Sequence, residues 1–312
     1  MNTSPWKMEN MIFNKIFVLG AGAIGSVYGA SLSNKNDVTL IGNKAHVDAV
    51  NASGLSISGN INKTFEVKAD TEIREVPEKT LIILTTKAYD SAKAIKEIRT
   101  LLKKDTIILI LQNGLGNEQI VKQAAGDKAE ILRGVTTMAA EFFQPGKIKV
   151  WSGETVIEQN EASEKIAEVF NECMLETRLS NNISNEVWCK LVINCVVNPL
   201  SMLFQIRNCE VAADSLKTVR HKIVSECIEV GKAEGITFHD NLEEKIDKKI
   251  SKYTNFSSMY QDIMKGKKTE IDFLNGKVVD LGRKHHISTP MNETFVCLTK
   301  FREEKNGISR KN

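Results

Sequence analysis

The chain has 312 residues, enough for two domains of about 100 to 200 residues each. Its apolar share of 42% and its charged share of 26% are those of an ordinary soluble globular protein. The 42 basic and 39 acidic residues leave a net charge of +3, an excess too small to indicate a nucleic-acid or membrane-surface protein.

Six cysteines are present, at Cys173, Cys189, Cys195, Cys209, Cys227 and Cys297. No pair has CxxC spacing and none is flanked by histidines at metal-ligand spacing, so we expect free thiols and no metal site. No apolar run approaches the ~18 residues that cross a bilayer. The first 14 residues also lack the apolar stretch and cleavage site of a signal peptide, which makes the cytoplasm the expected location.

The first half of the chain alternates apolar strands with helical patterns. Four buried strands are predicted at 15–20, 37–42, 80–86 and 106–112. A short helix is predicted at 44–51 and an amphipathic one at 90–104. Fully apolar strands between helices predict a parallel sheet covered on both faces. Further β-like runs at 131–137, 147–153 and 154–159 are expected to continue this sheet, before a helix at 163–177.

After about residue 180 the strand signals nearly vanish and the pattern becomes helical. Helices are predicted at 184–204, 215–235, 240–251, 257–265, 270–286 and 289–304. Pro290 suits the first turn of the last helix, with Ser288 or Thr289 as its N-cap. We therefore predict an α/β domain over 12–181 followed by an all-helical domain over 182–312.

The sequence GAGAIG follows the first strand and opens a helix, the setting in which GxGxxG binds a dinucleotide. Its residues are Gly20, Ala21, Gly22, Ala23, Ile24 and Gly25. Gly20 permits the tight turn, Gly22 lets the backbone approach a pyrophosphate, and Gly25 permits close helix–strand packing. The first domain is thus expected to be of the Rossmann type, and a glycine-rich turn without ligand is the alternative.

The end of the second strand indicates which dinucleotide is bound. NAD-binding proteins usually place Asp or Glu there, whereas this chain has Asn43 and Lys44, with His46 close by. A carboxylate would repel a 2′-phosphate, but an amide and an ammonium would not. NADPH is the expected cofactor and NADH is not excluded, because Lys44 lacks the forked donors of Arg and could equally be a solvated surface lysine.

The stretch VWCKLVINCVVNPL, 187–200, is a buried helix with three polar residues on one line. Lys190, Asn194 and Asn198 are four residues apart and share one face. A lone lysine in such a helix usually snorkels to water, but two buried amides beside it need partners and indicate a ligand-lined cleft. We expect that cleft at the domain interface, and a kink or break of the helix at Pro199.

A dehydrogenase that reduces a ketone needs a proton donor beside the carbonyl oxygen. Lys190 is the candidate, because partial burial would lower its pKa toward neutrality. The other histidines, His221, His239, His285 and His286, lie in charged, surface-like segments.

Several motifs, taken together and in order, resemble the ketopantoate reductase family. They are GAGAIG, TKAYD, QNGLGN, RGVTTMAAE, VWCKLVINCVVNPL, NFSSMYQDI and KTEIDFLNG, and the resemblance runs from about residue 15 to about residue 300. The resemblance implies NADPH-dependent reduction of 2-dehydropantoate to (R)-pantoate in pantothenate synthesis. It also implies a dinucleotide-binding domain followed by a helical substrate domain.

The resemblance also implies roles for single residues. Lys190 would protonate the keto oxygen, with Glu270 near it as the acid that hydrogen-bonds the substrate. Substrate contacts would come from Asn113, Asn194, Asn198, Asn208, Asn255 and Ser258. Cofactor contacts would come from the glycine loop and from Asn43, Lys44, Lys87, Asn113, Ala140 and Glu270. Without the resemblance, Glu270 reads as a surface acid, Ser258 as a helix N-terminal residue and Asn113 as a turn residue.

One departure from the family concerns the cofactor, because the family commonly has Arg where this chain has Asn43. Two rival functions remain open: a paralogous reductase of another branched 2-oxo acid, and a non-catalytic NADP(H)-binding sensor. We expect a small-molecule substrate, no nucleic acid and no membrane. The oligomeric state is open, with a homodimer as one alternative.

Overall fold

The structure is a computed structural model that describes residues 12–238 and 240–308. The prediction for His239 therefore falls outside the described residues. The chain divides into two compact units, which are described separately below. Of the described residues, the α/β unit contains those up to Gln112 together with Gly116–Ile183, and the helical unit contains Asn113–Leu115 and those from Ser184 onward.

Twelve strands lie in the described part of the α/β unit. They are β1 (Lys15–Leu19), β2 (Val38–Ile41), β3 (Leu55–Gly59), β4 (Lys63–Phe65), β5 (Lys68–Asp70), β6 (Thr80–Leu84), β7 (Ile107–Ile110), β8 (Glu130–Thr136), β9 (Ala139–Gln144), β10 (Lys147–Trp151), β11 (Thr155–Glu158) and β12 (Thr177–Ser180). The four strands predicted from apolar runs in the first 112 residues are all present, as β1, β2, β6 and β7.

The main sheet has eight strands in the order β12-β11-β8-β7-β6-β1-β2-β5. Its pairs are parallel except β11 with β8, which is antiparallel. Successive side chains of β6 pack on opposite faces of the sheet: Leu81 belongs to one apolar cluster and Ile82 to the other. Both side chains are fully buried. This burial on both faces explains why the strand sequences are continuously apolar instead of alternating.

The prediction that 147–153 continues the main sheet is wrong. These residues form β10, which lies in a separate four-stranded sheet of order β4-β3-β10-β9. The hairpin turn before β10 contains Gly146 at φ +75°, a conformation that glycine adopts without strain. The turn lets β9 fold back antiparallel onto β10, and this local pairing takes β10 away from the main sheet.

Five α-helices lie among the residues of the α/β unit that the structure describes: α1 (Ala23–Leu32), α2 (Lys44–Ser53), α3 (Ser91–Ile98), α4 (Asn117–Ala125) and α5 (Glu161–Glu172). Helix α1 begins at the glycine loop, as predicted. Helix α3 ends earlier than predicted, at Ile98. Helices α3 and α4 bury Ile95 and Val121 against one face of the sheet, and α1 buries Tyr28 against the other.

The helical unit contains α6 (Ile183–Phe204), α7 (Lys217–Ala233), α8 (Leu242–Ile250), α9 (Ser258–Met264), α10 (Asn275–Lys284) and α11 (Pro290–Lys305). One apolar core joins them, and α6 supplies a large share of it. Pro290 is the first residue of α11, as predicted, and Thr289 precedes it without making a side-chain cap. The mixed α/β unit followed by a helical unit confirms the predicted fold class.

Two helix predictions in this unit need correction. Residues 270–286 do not form one helix, because a short 3₁₀ turn at Ile271–Phe273 is separated from α10 by Leu274, whose φ and ψ are −106° and −107°. The carbonyl of Phe273 accepts a hydrogen bond from the Leu115 amide at 3.1 Å. In a continuous helix this carbonyl would instead accept from an amide of the same helix. Of the kink or break predicted at Pro199, the break is wrong, because helix α6 continues to Phe204.

Helix α6 is long and apolar enough to cross a membrane by length and composition alone, contrary to the expectation that no segment reaches that length. Its 22 residues have a mean hydropathy of 1.6 over the best 18-residue window, and 72% of that window is buried inside the protein. Such burial is typical of the core helix of a soluble protein, so the segment is weak evidence for a membrane span.

Candidate active site

The glycine loop has the geometry that a pyrophosphate site requires. Gly20 has φ +109°, and a Cβ there would collide with the backbone of Thr86. A Cβ on Gly25 would lie 2.5 Å from Thr85 Oγ1, so Gly25 is needed for the helix to pack. Gly22 is different, because it is exposed and the nearest atom to its Cβ would be 4.0 Å away. The protein's own packing therefore leaves room beside Gly22, where a ligand can approach the backbone.

Local hydrogen bonds hold this loop in place. The amides of Gly20 and Ala21 donate to Ile41 O at 3.0 and 2.8 Å, and Thr85 Oγ1 donates to Gly20 O at 2.8 Å. Helix α1 then begins at Ala23, followed by Ile24. It has no side-chain cap and no acidic residue in its first turn. The positive end of α1 is thus available to an anion, and the loop fits a dinucleotide pyrophosphate. Thr85 was not identified from the sequence.

The residues predicted to face a 2′-phosphate already have contacts within the chain. Asn43 is the N-cap of α2, and its Oδ1 accepts from the His46 amide at 3.1 Å. Lys44 Nζ donates to both carboxylate oxygens of Asp48 at 2.9 Å, while its side chain remains 80% exposed. An exposed pair of this kind is weak, so the Lys44 ammonium can turn to another anion at little cost.

His46 is buried in the α/β unit and is not a surface residue. The amide of Gly146 donates to its Nδ1 at 3.1 Å, so Nε2 carries the proton and donates to Ser26 Oγ at 3.0 Å. Burial lowers the pKa of His46 below its usual value, because it disfavours the charged ring. His46 therefore connects α2 with α1 and with the turn before β10.

Lys87 and Ala140 complete the predicted cofactor residues of the α/β unit. Lys87 begins the short 3₁₀ turn Ala88–Asp90 that follows β6, and Ala140 lies in β9, a strand that packs against α1. The Gln112 amide Nε2 fixes the β6 loop, since it lies 2.7 Å from Thr86 O and 2.7 Å from Ser91 Oγ. Gln112 is a positioning residue that sequence reasoning did not identify.

The polar stripe of α6 belongs to the helical unit and is mostly buried. Asn194 and Asn198 are 8% and 6% exposed, and Lys190 is half-buried. Burial, and to a smaller extent the positive charge of Lys249, lower the pKa of Lys190 to about 8. A lysine with this pKa is a better proton donor near neutral pH than an exposed lysine.

Asn113 joins this stripe because the turn that carries it packs with the helical unit. Asn194 Nδ2 lies 3.4 Å from Asn113 Oδ1, a long hydrogen bond. Gly114 follows at φ +86°, and a Cβ on it would collide with Phe273 O. The dipeptide Asn113-Gly114 is therefore fixed by close backbone approach, and it places an amide beside Asn194.

Glu270 is 7% exposed, so the reading of this residue as a surface acid is wrong. Helix α11 fixes the segment that carries Glu270 at two points. Glu303 Oε1 accepts from the Thr269 amide at 2.7 Å, and Lys300 Nζ forms an ion pair with Asp272 at 2.6 Å. The buried carboxyl of Glu270 is thus presented from a short, doubly anchored turn.

Two further predicted residues meet through their backbones. The amide of Asn208 donates to Asn255 O at 3.1 Å. Asn208 is 5% exposed, and its Oδ1 has no hydrogen-bond partner among the residues that the structure describes. A buried amide oxygen in this state is suited to accept from a ligand.

Ser258 is the first residue of α9, but the residue before it makes the anchoring contacts. Ser257 Oγ accepts from the Tyr260 amide at 3.1 Å and bonds to Ser201 Oγ of α6 at 2.6 Å. Ser201 in turn donates to Asn198 O at 3.3 Å. Ser257 therefore ties the start of α9 to the polar stripe of α6, a role that the sequence did not reveal.

Among the residues that the structure describes, there is no group of three or more His, Cys, Asp or Glu side chains that could hold a metal ion. The six cysteines are free thiols, and only Cys297 is exposed.

Comparison with known proteins identifies relatives of the whole chain. The family model for ketopantoate reductase PanE/ApbA matches residues 16–162, and the model for its C-terminal domain matches residues 182–303. The 2-dehydropantoate 2-reductase of Pyrococcus horikoshii is 35% identical over 306 residues, covering 95% of this chain and 100% of the relative. The enzyme of the same name from Streptococcus pyogenes serotype M1 is 31% identical over 288 residues, covering 88% and 93%.

Solved structures are also similar to this chain over nearly its whole length. A PanE/ApbA family ketopantoate reductase from Ralstonia eutropha JMP134 has a TM-score of 0.86 at 29% identity, covering 94% of this chain and 99% of that one. A D-mandelate dehydrogenase with NADH and anilino(oxo)acetate has a TM-score of 0.86 at 28% identity with the same coverage. With both domain models matched in order and over most of its length, the chain belongs to the ketopantoate reductase family.

Proposed function

We propose that this protein reduces 2-dehydropantoate to (R)-pantoate with NADPH, a step of pantothenate biosynthesis in the cytoplasm. The observation that carries the proposal is the helical unit's half-buried Lys190, with its pKa lowered to about 8, on one helix face with Asn194 and Asn198. The curated relatives that match over nearly their whole length are named for this reaction.

In this proposal Lys190 is the proton donor of the reaction. The bound dihydronicotinamide supplies the hydride for the keto carbon. As negative charge develops on the keto oxygen, the Lys190 ammonium stabilises it and then transfers a proton from Nζ to that oxygen. A pKa of about 8 makes this transfer easier than from a lysine of ordinary pKa.

The amides and Glu270 orient the substrate. Asn194 and Asn198 present buried donors and acceptors to its hydroxyl and keto groups, and Asn208 adds an unpaired Oδ1 that can accept from the substrate hydroxyl. The buried carboxyl of Glu270 accepts a hydrogen bond from the same hydroxyl, and Ser258 with Asn255 takes the substrate carboxylate. Fixing the keto acid in one orientation lowers the barrier without any further chemistry.

The α/β unit holds the cofactor in this proposal. The glycine loop Gly20–Gly25 and the first turn of α1 take the pyrophosphate, while Asn43 and Lys44 face the adenine ribose. Lys87 and Ala140 contribute further contacts, and Asn113 and Glu270 face the nicotinamide. The absence of an acid at the end of β2 favours NADPH over NADH.

The direct test is steady-state reduction of ketopantoate, followed by nicotinamide absorbance, with NADPH and NADH in parallel. Lys190→Ala should lower kcat by at least about 100-fold, the usual contribution of a positioned acid. Lys222→Ala, which removes an exposed lysine of α7 in the same unit, is the matched control. Near-normal kcat in Lys190→Ala would reject the lysine as the proton donor.

A second candidate is reduction of another 2-oxo acid with NADH or NADPH. It is favoured by the structural likeness to a D-mandelate dehydrogenase with bound NADH, at 28% identity. Mandelate is also a 2-hydroxy acid, and the same lysine and amides could serve either substrate. Comparing kcat/KM for ketopantoate, ketoisovalerate and phenylglyoxylate decides between them, and the ketopantoate assignment fails if another acid gives the higher value.

A further inference from the structure

Helix α6 contains a proline directly after Asn198, the last residue of its polar stripe, and this leaves one helix carbonyl without its normal partner. A helical N–H donates to the carbonyl four residues earlier, but Pro199 has no N–H. The carbonyl that loses its partner is that of Cys195, which lies between Asn194 and Asn198. Cys195 is fully buried, so water cannot replace the missing donor.

Asn275 supplies the missing hydrogen bond. Its side-chain Nδ2 donates to Cys195 O at 3.0 Å and also to Asn292 Oδ1 at 2.9 Å. Asn275 is fully buried at the first position of α10. Its Oδ1 has no partner among the residues that the structure describes, so the two acceptors facing Nδ2 determine the orientation of the amide.

Asn292 and Glu226 fix Asn275 in turn. Asn292 Nδ2 donates to Glu226 Oε2 at 2.7 Å, which turns Asn292 Oδ1 toward Asn275. The amides of Met291 and Asn292 donate to the two Glu226 oxygens at 2.8 and 2.9 Å, so Glu226 of α7 caps α11 where Thr289 does not. A chain of donors therefore runs in one direction, from Asn275 through Asn292 to the Glu226 carboxylate.

We infer that Asn275, held by Asn292 and Glu226, is the positioning residue for the polar stripe of α6. By replacing the hydrogen bond that Pro199 cannot make, it fixes the turn of α6 from which Asn194 and Asn198 project. Asn275 acts through that backbone carbonyl of Cys195. The inference rests on the proposed function, because it assigns these two amides to the substrate.

The sharpest test is a double-mutant cycle between Asn275 and Pro199. Asn275→Leu keeps the branching and the number of side-chain heavy atoms but removes both N–H donors, and it should lower kcat/KM for ketopantoate about tenfold, mainly by raising KM. The Kd for NADPH should stay unchanged, since the cofactor residues of the α/β unit are untouched. Adding Pro199→Ala restores a backbone N–H to Cys195 O and should recover most of that loss.

Thermal unfolding of the same four proteins gives a readout that does not depend on the substrate. Asn275→Leu should lower the Tm by about 4 °C, and Pro199→Ala should again recover part of it. Thr299→Val is the matched control, because it removes a buried hydroxyl of α11 that has no hydrogen-bond partner in the described part of the chain. It should leave kcat/KM unchanged.

The outcomes separate this inference from the proposed function. Additive effects of the two substitutions, or a lower Tm in Asn275→Leu with an unchanged KM, would overturn the positioning role. If Asn275→Leu does not fold, the double variant with Pro199→Ala is still expected to fold. A double variant that does not fold also overturns the inference. A wild-type protein that does not reduce ketopantoate would instead reject the proposed function. The Tm values of the double-mutant cycle would still show whether the bond from Asn275 to the Cys195 carbonyl stabilises the fold.

Discussion

At the residue scale, the pKa of Lys190 sets the pH range in which the site can donate a proton. Burial is the larger cause of its fall to about 8, and the charge of Lys249 is the smaller one. Reduction needs the ammonium form, so kcat/KM should fall tenfold per pH unit above about 8 and be level below it. A pH profile of kcat/KM measures this pKa in the free enzyme.

The contribution of Lys249 can be isolated by substitution. Lys249→Gln removes the neighbouring positive charge, so the pKa of Lys190 should rise and the fall in kcat/KM should move to higher pH. Lys252→Gln, another exposed lysine just after α8, is the control and should not move the profile. A profile of Lys249→Gln that superimposes on the wild type would contradict this reading.

His46 makes a prediction for stability that is independent of activity. Burial lowers its pKa in the folded state below the ~6.5 of an unfolded chain, so the unfolded state binds the proton first as pH falls. The stability due to neutral His46 is complete above pH ~6.5 and is lost as pH falls below that value. His46→Gln, whose amide can still face Ser26 and Gly146, should lack this component.

Urea unfolding at pH 8 and pH 5 measures the effect as a difference between the two proteins. The wild type should lose more of its free energy of unfolding between these pH values than His46→Gln does. Equal losses would mean that His46 is protonated at no cost in the folded state.

At the element scale, the first turn of α1 distinguishes two glycines that look alike in the sequence. An added Cβ at Gly22 meets no atom closer than 4.0 Å, so Gly22→Ala should keep its Tm but bind NADPH more weakly. A Cβ at Gly25 collides with the backbone carbonyl of Gly20, so Gly25→Ala should lower the Tm as well.

Cofactor titration and thermal unfolding of both variants are the measurements. If Gly22→Ala lowers the Tm as much as Gly25→Ala does, the expectation that Gly22 is not needed for packing is wrong. If Gly22→Ala binds NADPH with the wild-type Kd, the expectation that the cofactor approaches the backbone at Gly22 is wrong.

At this scale the sequence predicted elements where the apolar pattern was continuous. The strands β1, β2, β6 and β7 are buried on both faces, and a run of apolar residues is sufficient to identify them. The strand β9, with the sequence AAEFFQ, was missed because it is half-exposed and mixes charged with small residues. The helix break at Leu274 was missed because its cause is a tertiary hydrogen bond from Leu115, which no local pattern contains.

At the scale of the whole molecule, cofactor binding should stabilise the fold. A ligand that binds only the folded state, present at 100 times its Kd, adds about 2.7 kcal/mol to the free energy of unfolding. NADPH should therefore raise the Tm more than NADH at the same concentration, since Asn43 and Lys44 do not repel a 2′-phosphate.

Lys44→Ala provides the matched comparison. It should reduce the shift caused by NADPH and leave the shift caused by NADH unchanged, because only the 2′-phosphate meets the ammonium. An equal reduction for both cofactors would place Lys44 on a group that they share, and no reduction would leave it as the partner of Asp48 alone.

The sequence alone determined the class of fold, the dinucleotide loop and the line of Lys190, Asn194 and Asn198, because helix and strand periodicity and the glycine spacing are local properties of the chain. Only the tertiary structure decided which polar residues support that line. Ser257 and Asn275 do so from segments far away in sequence. Gln112, His46 and Glu303 hold other segments in place in the same way. Pro199 shows the difference: the sequence predicted a kink or break, but a buried amide from α10 bonds to the carbonyl that the proline leaves open, and the helix continues.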